Sequence, residues 1–131
     1  MLLKFLALIA LTKAEIRDCS DGLSLFSIKN LAFWPDPAVA NKNSTISFLY
    51  KVPRPGVSGG TATYSGLHNN KIISTRTEDI CKSVACPIRH GLHNSSWSYI
   101  YPNFTGNLQA KIQWRATNGL ELLCAEFRTT S

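Results

Sequence analysis

Four side chains of the types that bind zinc lie within thirteen residues: Cys81, Cys86, His90 and His93. Their spacing lacks the spacer of about twelve residues that lets a zinc finger fold around its metal. A thioredoxin-like redox pair has two residues between its cysteines, whereas this pair has four, and Pro87 follows. The segment CKSVACPI (81–88) is therefore interpreted as a disulfide that fixes a small loop, and no metal is expected.

The histidines suggest a second kind of chemistry, hydrolysis by His68, His90 or His93 with the help of Lys82. Acid–base catalysis requires two such groups that converge on one cleft. On an extended strand His90 and His93 would point to opposite faces, because successive side chains alternate. We therefore expect surface or loop histidines and a protein that is not an enzyme.

The N-terminal sequence indicates the cellular compartment of the protein, and the compartment determines whether its cysteines are oxidised. Residues 1–14, MLLKFLALIALTKA, form an apolar run that ends in small or polar residues. The run is far shorter than the ~20 residues of a membrane-spanning helix. It predicts a secretory signal peptide over 1–14, with an uncleaved anchor as the alternative, and a single domain over 15–131 in the secreted or endolysosomal space.

Removal of the signal peptide takes away Lys4 and Lys13, so the net charge falls from +6 to +4. The remaining basic residues are scattered and form no stripe interleaved with aromatic residues. This distribution argues against nucleic acid as a partner. We expect a monomer that makes at most transient contact with a membrane or a membrane receptor.

An even set of four cysteines in an oxidising compartment predicts two disulfides. Four cysteines allow three pairings. Proximity favours Cys81 with Cys86, which leaves Cys19 for Cys124. Three Asn-x-Ser/Thr sequons predict N-glycosylation, in accord with passage through the secretory pathway. They lie at Asn43, Asn94 and Asn103.

Strict alternation of apolar and polar residues dominates the predicted domain. In 108–116, LQAKIQWRA, the apolar residues fall on one face, and 44–52, STISFLYKV, shows the same pattern with Leu49 as its exception. This period is typical of half-buried strands. Further strands are expected at 23–33, 60–67, 71–77, 96–101 and 120–127. Turn-forming segments separate them, and 117–119, TNG, carries the Asn-Gly signal of a tight hairpin. About seven strands at regular spacing predict an antiparallel β-sandwich.

Six short motifs follow one another along the chain. They are DC (18–19), YSGL (64–67), CKSVACPI (81–88), WSY (97–99), IQW (112–114) and LLCAEF (122–127). Their order gives the chain a resemblance to the ML lipid-recognition family, and most closely to its Niemann-Pick type C cholesterol-binding branch. This resemblance implies an immunoglobulin-like sandwich with an apolar pocket between its sheets, no catalysis, no cofactor, and the disulfides Cys19–Cys124 and Cys81–Cys86.

Two departures from this branch concern ligand specificity. A third disulfide of the branch has no counterpart in AFWPDPAV (32–39), and its apolar, proline-rich lip is replaced by the polar HNNKIISTRTED (68–79). The resemblance therefore implies the fold without assigning a sterol as the ligand.

The expected function is to hold one lipid, a sterol, fatty acid or phospholipid, between the two sheets and to transfer it. The alternative is an interaction protein or co-receptor with the same sandwich and a vestigial pocket. The predicted pocket lining and entrance comprise Ile46, Phe48, Tyr50, Tyr64, Ile72, Ile73, Tyr99, Phe104, Ile112 and Trp114. Without the resemblance, these residues would simply form a sandwich core.

Overall fold

The computed structural model describes residues 14–36, 38–100 and 105–130. Residues 1–13 of the predicted signal peptide, together with Asn103 and Phe104, lie outside this range. The described residues form eight strands and one 3-10 turn, Ile80–Lys82. The strands are β1 (Glu15–Asp18), β2 (Ser27–Trp34), β3 (Asn43–Val52), β4 (Gly60–His68), β5 (Lys71–Asp79), β6 (Gly91–Ile100), β7 (Asn107–Ala116) and β8 (Glu121–Thr130).

The strands build two antiparallel sheets. The larger sheet has the order β1-β8-β7-β4-β5, and the smaller sheet has the order β2-β3-β6. Both sheets contribute one face to a common core, as in a β-sandwich. The predicted all-β sandwich is therefore confirmed, with eight strands where about seven were expected.

The two most regular predicted strands form as expected. Along β7 the side chains of Leu108, Ala110, Ile112 and Trp114 are buried, and the residues between them are at least partly exposed. Along β3 the same alternation buries Ile46, Phe48, Tyr50 and Val52. Burial of one face of each strand provides the main stabilisation of the sandwich.

Other boundaries differ from the prediction. β6 begins at Gly91 rather than at residue 96, and the short β1 was not predicted. The connection between β7 and β8 comprises the four residues 117–120, with Gly119 at φ +89°, rather than a two-residue turn. The two-residue turn lies instead between β4 and β5, where Asn69 and Asn70 both have positive φ.

The sandwich is tied together along one edge. There β1 lies against β2, and the backbone N–H of Ala14 donates to Asp36 Oδ1 at 2.8 Å. The disulfide Cys19–Cys124 attaches the segment after β1 to β8. A second disulfide joins Cys81 and Cys86, which leaves neither thiolate for a zinc ion. Both are the pairings implied by the resemblance.

Among the described residues, none of the helical segments has the length and apolar character that are needed to cross a bilayer. The same residues contain no group of three or more His, Cys, Asp or Glu side chains placed to hold one metal ion.

Candidate functional site

At the edge opposite β1 and β2, the edge strands β5 and β6 belong to different sheets and are not hydrogen-bonded to each other. A cavity of about 210 Å³ lies between them, and we call it the β5–β6 cleft. It is lined by Tyr64, Ser74, Thr75, Arg76, Trp97, Ser98 and Tyr99. At this cleft no backbone pairing joins the described residues of β5 and β6, so the cleft is a suitable place for access to the space between the sheets.

Aromatic rings form the inner wall of the β5–β6 cleft. Tyr64 on β4 stacks on Trp97 on β6 with 5.1 Å between the ring centroids, and Trp97 lies 5.6 Å from Tyr99. Gly66 on β4 faces the hydroxyl groups of Tyr99 and Ser74. A Cβ atom at this position would lie 3.2 Å from the Tyr99 hydroxyl oxygen and 2.8 Å from the Ser74 hydroxyl oxygen. The glycine thus leaves room for both hydroxyls to converge.

A closed set of four side chains surrounds the outer part of the cleft. Tyr64 Oη and Ser83 Oγ are 3.0 Å apart, and the Ser83 hydroxyl donates to Glu78 Oε1 at 3.1 Å. The other carboxylate oxygen of Glu78 lies 3.9 Å from Arg76 Nε. The guanidinium of Arg76 lies over the ring of Tyr64, with 5.2 Å between Cζ and the ring centroid. These contacts hold a cation at the mouth of the cleft.

A second cavity, of about 470 Å³, lies farther along the same edge, between β6 and the loop that contains the Cys81–Cys86 disulfide. Its wall includes Tyr50, whose hydroxyl lies 3.1 Å from Ser95 Oγ and whose ring stacks on His93 at 5.7 Å. Burial raises the pKa of the Tyr50 phenol, and the hydrogen bond to Ser95 opposes this effect only in part. The phenol therefore stays protonated beyond its ordinary range.

His93 corrects the expectation that all histidines are surface or loop residues. It lies on β6, is half-buried, and its Nε2 is 2.7 Å from the carbonyl oxygen of Arg89. His68 Nε2 lies 2.8 Å from the carbonyl oxygen of Thr105, and His90 is exposed.

Behind Tyr50, the interior between the sheets is filled by aromatic side chains. Trp114 packs edge-on against Phe48 and Tyr50, each with 5.4 Å between the ring centroids. Its Nε1 is buried without a hydrogen-bond partner among the described residues. A buried donor without an acceptor costs roughly 1–3 kcal/mol.

The structure brings most of the predicted lining residues together. Six lie in the core between the sheets: Ile46, Phe48, Tyr50, Tyr64, Ile112 and Trp114. Tyr99 is half-buried at the β5–β6 cleft. The two proposed entrance residues, Ile72 and Ile73, are 66% and 49% exposed on the edge strand β5, and Phe104 lies outside the described residues.

Other residues of the site were not recognised in the sequence. Trp97, His93 and Ser95 share a face of β6 with Tyr99, and the period of two that starts at Tyr99 could have identified them. Arg76 and Ser83 gave no such signal, because their roles depend on which strands become neighbours. Asn43 and Asn94, two of the predicted glycosylation sites, are exposed, and their modification stays a prediction.

These features define a two-sheet β-sandwich that is tied along one edge and has an aromatic-lined cleft at the other. The sequence profile of the ML domain matches residues 13–130, and the chain belongs to the ML-domain family.

Comparisons with known proteins agree with this assignment. A Dictyostelium discoideum protein, provisionally named a phosphatidylglycerol/phosphatidylinositol transfer protein, is 29% identical over 136 residues, which cover 98% of this chain and 93% of that protein. The crystal structure of a Niemann-Pick type C2 protein from the Japanese carpenter ant superposes with a TM-score of 0.64 at 16% identity, over 87% of this chain and 96% of that one. Chicken MD-1 complexed with lipid IVa gives a TM-score of 0.59 at 13% identity, over 93% and 97%. At these identities the two structures show the shared fold.

Proposed function

We propose that this protein is a lipid carrier that holds one lipid molecule between its two sheets and admits it through the β5–β6 cleft. The main support for this proposal is the difference between the two edges of the sandwich. One edge is tied by the contact of β1 with β2 and by the hydrogen bond from Ala14 to Asp36, whereas aromatic rings form the wall of the other. A lipid can therefore separate the sheets at this edge by displacing side chains, without breaking backbone hydrogen bonds between β5 and β6.

The interior has the chemistry that such a ligand requires. Each methylene group moved from water to an apolar interior gains ~0.8 kcal/mol, so one acyl chain or a sterol can offset the cost of moving Tyr64, Trp97 and Tyr50. The unpartnered Nε1 of Trp114 offers a hydrogen bond to an oxygen atom of a bound lipid. The named functions and ligands of the relatives, a phospholipid transfer protein and a protein crystallised with lipid IVa, support the same class of ligand.

We further propose that the protein acts without catalysis, in the secreted or endolysosomal space. Two disulfides that use all four cysteines support an oxidising compartment. His68 and His93 each lie within hydrogen-bond distance of a backbone carbonyl and come from different strands, which gives little support to a catalytic pair.

One observation favours the alternative of an interaction protein with a vestigial pocket. Phe48, Tyr50 and Trp114 are each at most 2% exposed and already fill the space that a lipid would occupy. In this second proposal the outer surfaces bind a protein partner and the interior remains closed.

Native mass spectrometry of the purified protein, combined with organic extraction, distinguishes the two proposals. A carrier is expected to show one bound lipid, and the delipidated protein should bind a fluorescent lipid saturably with a stoichiometry of one. A protein that carries no lipid and binds none of a panel of sterol, fatty acid and phospholipid would support the interaction protein.

A further inference from the structure

We propose that Arg76, Ser74 and Tyr99 form a binding site for the phosphate of an anionic phospholipid at the mouth of the β5–β6 cleft. This inference rests on the proposed lipid-carrier function and specifies its ligand class. The acyl chains would enter between Tyr64 and Trp97, and the charged headgroup would stay at the mouth.

Arg76 is held in place but retains hydrogen-bonding capacity. The ring of Tyr64 supports one face of the guanidinium, and Glu78 approaches Nε only to 3.9 Å, which is beyond hydrogen-bond distance. The structure gives this guanidinium no hydrogen bond to any described residue. The Arg76 side chain is 63% exposed, so its remaining N–H groups are accessible to a ligand from solvent. A planar guanidinium whose N–H groups are exposed is suited to bidentate binding of phosphate oxygens.

Two hydroxyl groups complete the donor set. Ser74 lies two residues before Arg76 on β5, so both side chains point to the same face of the sheet. The hydroxyl oxygens of Ser74 and Tyr99 approach the same empty position beside Gly66, and both residues line the cavity together with Arg76. A sterol, with a single uncharged hydroxyl group, would offer no negative charge to the Arg76 guanidinium.

Glu78 lies beside this site and forms a long ion pair with Arg76. Its Oε1 accepts the hydrogen bond from Ser83, and its side chain is 22% exposed. Glu78 therefore orients Arg76 while the outer edge of the guanidinium remains open to a ligand.

The test compares the binding of three fluorescent ligands to delipidated protein: phosphatidylglycerol, diacylglycerol with the same acyl chains, and a sterol. The variants are Arg76→Gln, Arg76→Lys and, as the matched control, Arg115→Gln, which removes an exposed positive charge from the outer face of the same sheet. Thermal unfolding of each variant verifies that it is folded.

The wild-type protein is expected to prefer phosphatidylglycerol. Arg76→Gln should weaken phosphatidylglycerol binding about tenfold or more while leaving diacylglycerol binding within about twofold, because only the phospholipid loses a hydrogen bond between Arg76 and a charged phosphate. Arg76→Lys, which keeps the charge, should retain part of the preference, and Arg115→Gln should retain all of it.

Equal weakening of phosphatidylglycerol and diacylglycerol binding by Arg76→Gln would overturn the headgroup site, as would an equal loss of preference in Arg115→Gln. If Arg76→Gln does not fold, unchanged selectivity in Arg76→Lys overturns it as well. Displacement of phosphatidylglycerol by millimolar inorganic phosphate would instead show a site for the free anion and would also refute the proposal. Failure of the wild-type protein to bind any of the three lipids would refute the carrier function itself.

Discussion

Loss of the Cys19–Cys124 disulfide should destabilise this protein more than loss of the Cys81–Cys86 disulfide. The first bridge closes a loop with a sequence separation of 105 and the second a loop with a separation of 5. In the chain-entropy treatment these loops correspond to about 4.7 and about 2 kcal/mol of stabilisation. For a domain of this size a change of 1 kcal/mol shifts Tm by about 4 °C, so we expect Tm to fall by roughly 20 °C and roughly 8 °C.

The assay is thermal and urea unfolding of two double alanine variants, one for each bridge. Cys124 is buried, so its replacement also leaves a small void that increases the larger of the two losses. Equal destabilisation of the two variants, or a larger loss for the Cys81–Cys86 variant, would show that loop closure does not control the stability of this sandwich.

Three further predictions concern the core and the sheets. Because burial raises the pKa of Tyr50 above its ordinary value of 10.0, the free energy of unfolding should be unaffected by this group below about pH 10 and fall at higher pH. Tyr50→Phe should reduce that decline in urea titrations at about pH 9 and about pH 11, and an unchanged decline would contradict the assignment. Gly60→Ala should cost about 3 kcal/mol or more in urea unfolding, because the added Cβ would clash with the backbone carbonyl of Arg115 on β7. A loss below about 1 kcal/mol would contradict this packing. In a variant whose Trp34 and Trp97 are replaced by Phe, the emission of Trp114 should change as lipid saturates the protein, and constant emission at saturation would exclude a ligand beside it.

Alternation of apolar and polar residues was sufficient to predict the strands that are buried on one face. In β3 and β7 every second residue is buried, so the period of two is visible in the sequence. β6 was predicted only from residue 96, because its first half contains His93, Asn94 and Ser95, polar residues that lie beside a cavity rather than in the core. β1 has four residues, too few to show a period.

The position of the cleft was not accessible to sequence reasoning. It depends on the order of strands in the two sheets, which places β5 and β6 at edges that face each other although β6 pairs with β3. Arg76 and Ser83 acquire their relation to Tyr64 only through this arrangement. Trp114, by contrast, could be placed on the inner face of the sandwich from the alternation of residues within its own strand, β7.

Photo-crosslinking with a phosphatidylglycerol that carries a diazirine in the middle of one acyl chain tests the lipid-carrier proposal most directly. After irradiation and peptide mapping, the label is expected on the segments of β4 and β6 that contain Tyr64 and Trp97 and on the inner-face residues of β3. Label confined to the outer face of the larger sheet, for example at Thr63 and Thr77, would show that lipid contacts the surface of the sandwich and does not enter it.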